Sequence, residues 1–245
     1  MRVVAIIPAR YASTRLPGKP LLAETGKPLV QHVVEAAGRA RRVEEVCVAT
    51  DDQRIAEAVE SFGGRAVLTR DDHASGTDRL AEAAEKLGLD DDDIVVNVQG
   101  DEPEMEADDI DRLVDLLIES AAPMATLAAP LDAAAAGNPD NVKVVLAADA
   151  SAMYFSRAKI PHDRDGQGAR HLLHMGIYAY RKRFLVEFAA MPPTPNERIE
   201  RLEQLRALEN GHRIAVAVVD AAPAGIDTRD DYAAFVERLK GKPGQ

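Results

Sequence analysis

The five residues Val3-Val4-Ala5-Ile6-Ile7 carry no polar side chain. A strand that is apolar on both faces must be covered on both, the situation of a parallel sheet wrapped by helices. Similar short runs recur at Val46 to Ala49, Ala66 to Leu68 and Ile94 to Val98, the last reading as the clearest central strand. Helical patterns separate them. Leu29 to Ala40 puts Val30, Val33, Val34 and Ala37 on one face. Gln53 to Phe62 follows the capping residues Thr50-Asp51-Asp52 and stops at Gly63-Gly64. Thr77 to Leu87 stops at Gly88, and Asp108 to Ser120 is amphipathic. Strands alternating with helices of this length predict an α/β fold with a doubly wound, mostly parallel mixed sheet.

The middle of the chain has another texture. Met124 to Ala128, Val142 to Ala147, Ala152 to Ile160 and Met175 to Tyr180 read as strands with little helix between them. They predict a small strand-rich lobe over about 124–190 within a single domain of residues 1–245. A helix over Arg198 to Asn210, a strand over Ile214 to Val219 and a helix over Asp230 to Leu239 restore the earlier rhythm. Thr228 is placed as N-cap of that last helix, with Asp231 completing a capping box.

Charge narrows the partners. The formal net charge is −11, unsuited to a general nucleic-acid binder, which needs surplus Lys and Arg. The first segment runs the other way: Arg2, Arg10, Arg15, Lys19 and Lys27 stand against the lone acid Glu24. Arg10, Arg15 and Lys19 share one loop directly after the first strand, and open α/β sheets bind ligands beyond the carboxyl ends of strands. That placement suits a polyphosphate; a solvated loop is the plain alternative. The loop is neither a P-loop nor a dinucleotide fingerprint, because the required glycines are missing.

Asp101 follows the central strand in Asn97-Val98-Gln99-Gly100-Asp101-Glu102-Pro103, and Asp227 precedes the last helix. Each could be a turn or capping residue; together with phosphates they would suit Mg²⁺, which favours one or two carboxylates plus substrate oxygens. His171 and His174 are three apart next to a strand pattern, which argues against a zinc pair. Cys47 is the only cysteine, so no internal disulfide can form and a reducing compartment is tolerated. No apolar stretch is long enough to span a bilayer, and the expected location is the cytoplasm.

Seven motifs then occur in a familiar order. They are Ile7-Pro8-Ala9-Arg10-Tyr11-Ala12-Ser13-Thr14-Arg15-Leu16-Pro17-Gly18-Lys19-Pro20, Ser75-Gly76-Thr77-Asp78-Arg79, the segment 97–103, Tyr154-Phe155-Ser156-Arg157, His174-Met175-Gly176-Ile177-Tyr178, Leu202-Glu203-Gln204-Leu205-Arg206 and Gly225-Ile226-Asp227-Thr228. With them the chain resembles the 3-deoxy-D-manno-octulosonate (Kdo) cytidylyltransferases over nearly its whole length. The resemblance implies a nucleotide-diphospho-sugar transferase-like fold and a homodimer. It implies activation of Kdo with CTP, giving CMP-Kdo and pyrophosphate for lipopolysaccharide assembly. It places Arg15 and Lys19 on the phosphates and Ala9, Arg10, Ala74 and Ser75 near the cytidine. It matches Asp101 and Asp227 to Mg²⁺-binding acids, and Gln99, Arg157, His174, Tyr178, Glu203 and Gln204 to the sugar pocket. His162, the short stretch Gly166 to Leu173, and Leu173 itself depart from the family pattern on the sugar side. Transfer of CMP to 8-amino-Kdo or a sialic acid, and a catalytically idle nucleotide-binding protein, are the alternatives.

Overall fold

The computed structural model describes residues 1–12 and 16–241. The chain divides into two compact units, Met1–Asp111 with Pro223–Gln245, and Arg112–Ala222. Numbered in chain order, the elements of the first stretch are β1 (Val3–Ala9), α1 (Leu29–Ala37), β2 (Glu45–Thr50), α2 (Gln53–Ser61), β3 (Arg65–Leu68), α3 (Gly76–Lys86), β4 (Ile94–Asn97) and α4 (Ala107–Glu119), which runs across the unit boundary. The second unit then carries β5 (Met124–Leu131), β6 (Lys143–Leu146), β7 (Ala152–Ser156), β8 (His171–Arg181), α5 (Lys182–Ala190), α6 (Pro195–Glu200), α7 (Leu205–Glu209) and β9 (Ile214–Val218). The chain returns to the first unit with α8 (Arg229–Gly241).

In the first unit β3, β2, β1 and β4 lie side by side, all parallel. The register sets Ile6 between Cys47 on one side and Asn97 on the other. Val4, Ala5, Ile6 and Ile7 are fully buried, as a strand covered on both faces requires. The chain leaves β1 for β2 and β3 on one flank, then comes back through α3 to β4 on the other. The winding direction therefore reverses between β1 and β4, and their carboxyl ends diverge there into a crevice. A satellite core of Leu16, Leu29, Ile226, Tyr232, Phe235 and Val236 docks α8 beside α1 and the loop after β1.

Caps largely explain the helix ends. Asp52 accepts from the Arg54 amide at the start of α2. Thr228 and Asp231 form the reciprocal box expected from sequence: Asp231 accepts from the Thr228 amide at 2.8 Å, and the Asp231 amide donates to Thr228 Oγ1 at 3.2 Å. α1 stops at Ala37, three residues short of the expected end, where Gly38 becomes its C-cap.

The second unit holds a mixed sheet. β5 is antiparallel to β8 and parallel to β9, while β6 pairs antiparallel with both β7 and β8. The register of β5 on β8 jumps between Thr126 and Leu127, whose partners are Tyr178 and Met175. This leaves Gly176 and Ile177 as a bulge, and bulges re-aim neighbouring side chains.

One element here is unanticipated and one expectation fails. Residues 182–190, to which sequence assigns no element, form α5, with Phe184, Leu185 and Phe188 on its buried face. The helix expected over Arg198 to Asn210 is broken into α6 and α7 by Arg201, which takes a left-handed backbone at φ 52°. Buried Arg206 accounts for the break: its guanidinium grips the Glu197 carboxylate at 2.9 and 2.5 Å and donates to the carbonyls of Phe188 and Met191 at 3.3 Å. A continuous helix would hold residues nine apart on different turns of one rod; the chain folds back so that they meet.

Candidate active site

Four segments line one cavity of about 430 Å³ in the first unit. Pro8, Ala9 and Arg10 come from the end of β1, and Gln99, Gly100 and Asp101 from the chain after β4. Ala74, Ser75 and Gly76 open α3, and Lys19 follows the basic loop. Of the residues singled out by sequence, Ala9, Arg10, Lys19, Ala74, Ser75, Gln99 and Asp101 thus meet at the switch point between β1 and β4. Arg15 lies outside the described residues.

Backbone approach is tight at Gly100. A Cβ built there would stand 3.0 Å from the Pro8 carbonyl oxygen, so a side chain would force apart the two strand ends that make the crevice. Gly18, with φ 69°, turns the chain into Lys19, and its amide donates to the Tyr11 carbonyl at 3.0 Å.

Arg10 and Ser75 are locally well fixed. The Arg10 guanidinium donates to the carbonyls of His73 at 2.7 Å and Ser75 at 3.2 Å. Ser75 is the N-cap of α3: its Oγ accepts from the Asp78 amide, and its own amide donates to Asp78 Oδ2 at 3.0 Å. The amide-rich end of the helix therefore opens into the cavity, an environment that favours anions.

The acids sit on the other side. Lys19 Nζ donates to Asp101 Oδ2 at 2.8 Å and to the Ile226 carbonyl at 2.9 Å. The Ile226 amide donates to the Asp101 carbonyl at 2.9 Å. These bonds bring the segment carrying Asp227 alongside Asp101, so the two acids that are 126 positions apart in sequence belong to one corner. Glu102, to which sequence gave no role, has Oε2 buried with no hydrogen-bond partner among the described residues. Burial, with the neighbouring Asp101 charge, pushes its carboxyl up to about 8. Carboxylate and carbonyl oxygens gathered at this corner match the needs of a hard divalent ion. Among the described residues no cluster of three His, Cys, Asp or Glu forms a ready-made metal cage.

The remaining candidates are in the second unit. His174 and Tyr178 project from β8 around the bulge, their rings 5.4 Å apart, and Phe155 meets His174 edge-on at 4.9 Å. Thr126 Oγ1 lies 2.7 Å from the Ile177 carbonyl and 3.2 Å from His174 Nε2. The hydroxyl has one proton; donated to Ile177, it leaves the oxygen to accept from His174 Nε2–H. Burial lowers the His174 pKa to about 3, so the ring is neutral at physiological pH. Burial, helped by Glu203, raises that of Tyr178. Glu203 and Gln204 occupy the turn before α7, and Gln204 Nε2 is buried with no hydrogen-bond partner among the described residues. Arg157 follows β7; its guanidinium donates to the carbonyls of Glu200 at 2.8 Å and Pro139 at 3.0 Å. Glu200, missed in the sequence, holds this strand end by accepting from Ser156 Oγ and the Arg157 amide. No spacing rule marks it, because the pair is 43 residues apart.

A switch-point crevice carrying a lysine, an arginine, a capped helix end and a carboxylate is the kind of place where open α/β sheets receive phosphate-bearing ligands. The cytidylyltransferase family model matches residues 4–214. The chain is 53% identical over 243 residues to a 3-deoxy-manno-octulosonate cytidylyltransferase of Syntrophobacter fumaroxidans, covering 98% of this chain and 97% of that protein. It is 53% identical over 240 residues to the protein of that name from Photobacterium profundum, covering 94% and 96%. The chain belongs to the 3-deoxy-manno-octulosonate cytidylyltransferase family. Among solved structures, a CMP:2-keto-3-deoxy-manno-octonic acid synthetase complexed with CTP superposes with a TM-score of 0.94 at 44% identity, covering 99% of this chain and all of that one. A 4-diphosphocytidyl-2C-methyl-D-erythritol synthase shares the fold alone, with a TM-score of 0.67 at 15% identity.

Proposed function

We propose that the protein transfers CMP from CTP to Kdo, releasing pyrophosphate. The observation that carries this reading is the single cavity that gathers Ala9, Arg10, Lys19, Ala74, Ser75 and Asp101, in a chain 53% identical to named Kdo cytidylyltransferases. The sugar's anomeric hydroxyl oxygen attacks the α-phosphorus of CTP. The bond from that phosphorus to the bridging oxygen breaks, pyrophosphate leaves with the electron pair, and the hydroxyl proton passes to solvent. Little covalent chemistry falls to the protein, whose work is positioning and charge neutralisation.

In this reading, Arg10 and the backbone at Ala74 and Ser75 hold the cytidine, and Lys19 neutralises charge on the departing phosphates. Asp101 and Asp227 would hold Mg²⁺, which when bound supplies charge neutralisation to phosphate oxygens. Gln99, Arg157, His174, Tyr178, Glu203 and Gln204 serve the sugar. Neutral His174 and the buried Gln204 amide suit hydroxyl contacts, since both can hydrogen-bond without demanding a counter-charge. The functional form is taken to be a homodimer in the cytoplasm, with the product feeding lipopolysaccharide synthesis. Among the described residues no helix is long and apolar enough to cross a membrane.

Pyrophosphate release with CTP and a panel of acidic sugars tests this directly. Kdo should outperform 8-amino-Kdo and sialic acid, and ATP and GTP should be poor donors, because unmatched polar groups in the base site would be left unpaired. No release with any acidic sugar would refute the reading, and a clear win for 8-amino-Kdo would change the substrate.

A further inference from the structure

The segment from Leu68 to Ser75 joins β3 to α3 and supplies the wall of the cavity that carries Ala74 and Ser75. Beyond Leu68, the last residue of β3, it has no regular secondary structure, yet Arg10 depends on it, placing its guanidinium on the carbonyls of His73 and Ser75. One carboxylate on α3 staples the segment from behind. Glu82 accepts from the Arg70 amide at 3.2 Å and pairs with His73 Nε2. Lys86, one turn on, forms an ion pair with Glu82 at 2.7 Å and donates to the Leu68 carbonyl at 2.7 Å. The segment is thus tied at Leu68, Arg70 and His73 before it reaches the Ser75 cap. His73 is the pivot: its buried ring faces Glu82 and its carbonyl faces Arg10.

We infer that Glu82, acting through His73, is a positioning residue for nucleotide recognition, holding the 70–75 segment in the one conformation in which Arg10 and the Ala74–Ser75 backbone can receive the cytidine. The inference rests on the proposed CTP site. Glu82 does not line the cavity and touches no substrate in this scheme. Without it the segment samples other conformations, and the apparent CTP affinity falls by the fraction of molecules still in the competent one. The sugar residues of the second unit are untouched.

The test compares Glu82→Ala, Glu82→Gln and His73→Gln with the unmodified protein. CTP binding is measured by calorimetry without sugar, and KM for each substrate and kcat are measured at steady state, with melting temperature alongside. The expected result for Glu82→Ala is CTP affinity and KM for CTP about tenfold weaker, with kcat and the KM for Kdo within twofold. Glu82→Gln, which keeps the acceptor for the Arg70 amide, should restore most of the loss. A role confined to folding would instead lower the melting temperature and reduce the active fraction, leaving both KM values unchanged, and would overturn the inference. Unchanged CTP affinity in folded Glu82→Ala would also overturn it while leaving the proposed function standing. If Glu82→Ala does not fold, His73→Gln decides by the same criterion. Failure of the unmodified protein to bind CTP would overturn both.

Discussion

Replacing Lys19 by Met separates its contact with Asp101 from the role on phosphates that the proposed function gives it. The Lys19 ammonium rests on Asp101 Oδ2 at 2.8 Å, with the lysine side chain 14% exposed and that of Asp101 32% exposed. A hydrogen bond to a charged partner contributes about 1.5–3 kcal/mol, and partial exposure of the carboxylate puts this pair at the low end, about 1.5 kcal/mol. A divalent ion at Asp101 must displace that contact. Every 1.4 kcal/mol is a factor of ten, so Lys19→Met should bind Mg²⁺ about tenfold more tightly without nucleotide. Turnover should move the other way, falling about 100-fold or more, as when a group that stabilises transition-state charge is removed. Calorimetric titration with Mg²⁺ alone gives the first number and pyrophosphate release the second. Lys19→Arg, which keeps the charge, controls for side-chain loss and should bind Mg²⁺ no more tightly than the unmodified protein. Unchanged or weaker Mg²⁺ binding in folded Lys19→Met would refute the competition argument.

Asp101→Asn and Asp227→Asn should each fold yet lose at least about 100-fold in turnover, since the amide keeps the shape and loses the charge; near-normal rates with saturating Mg²⁺ would remove that residue from the metal site. Gly100→Ala should lower stability by about 1–2 kcal/mol in denaturant titration and weaken CTP binding, because the new methyl meets the Pro8 carbonyl oxygen at 3.0 Å; a neutral outcome would mean the strand ends part freely. The depressed His174 pKa means that the unfolded chain binds the extra proton between pH 6.5 and about 3. Stability carried by the neutral ring is full above pH 6.5 and drains as pH falls through that window, by at most about 1.4 kcal/mol per pH unit. His174→Gln should flatten this acid limb in denaturation curves, and an unaltered limb would show the ring accessible to protons.

The sequence was most legible where one local rule acted alone. The uninterrupted apolar runs of β1 and β4 could be buried only in a covered parallel sheet, and Thr228 with Asp231 announced the start of α8. Position at strand ends then brought Arg10, Lys19 and Asp101 into one site. What escaped was set by distant partners. The helical periodicity from Arg198 to Asn210 runs unbroken through Arg201, and no glycine marks the left-handed turn there. The break exists because Arg206 reaches back to Glu197, a tertiary demand that local propensity does not carry. Helix α5 was hidden because its apolar residues follow a long strand without a capping signal, and no side-chain cap is made at Arg181. Glu82 and His73 are nine residues apart, one on a helix and one on an irregular segment, a pairing no periodicity predicts.

Cys47, the only sulfhydryl in the chain, sits fully buried in the middle of β2, flanked in register by Ile6 of β1 and Arg65 of β3. Burial, with Glu45 adding to it, pushes the thiol up to about 12. An alkylating reagent at pH 8 meets about one thiolate in ten thousand, and that one behind closed strands. Labelling must therefore wait until the first unit springs open, and each modified molecule records one such event. Run with and without CTP, the reaction becomes a stopwatch on that unit, slowed by the ligand in proportion to its occupancy and started without adding any foreign probe.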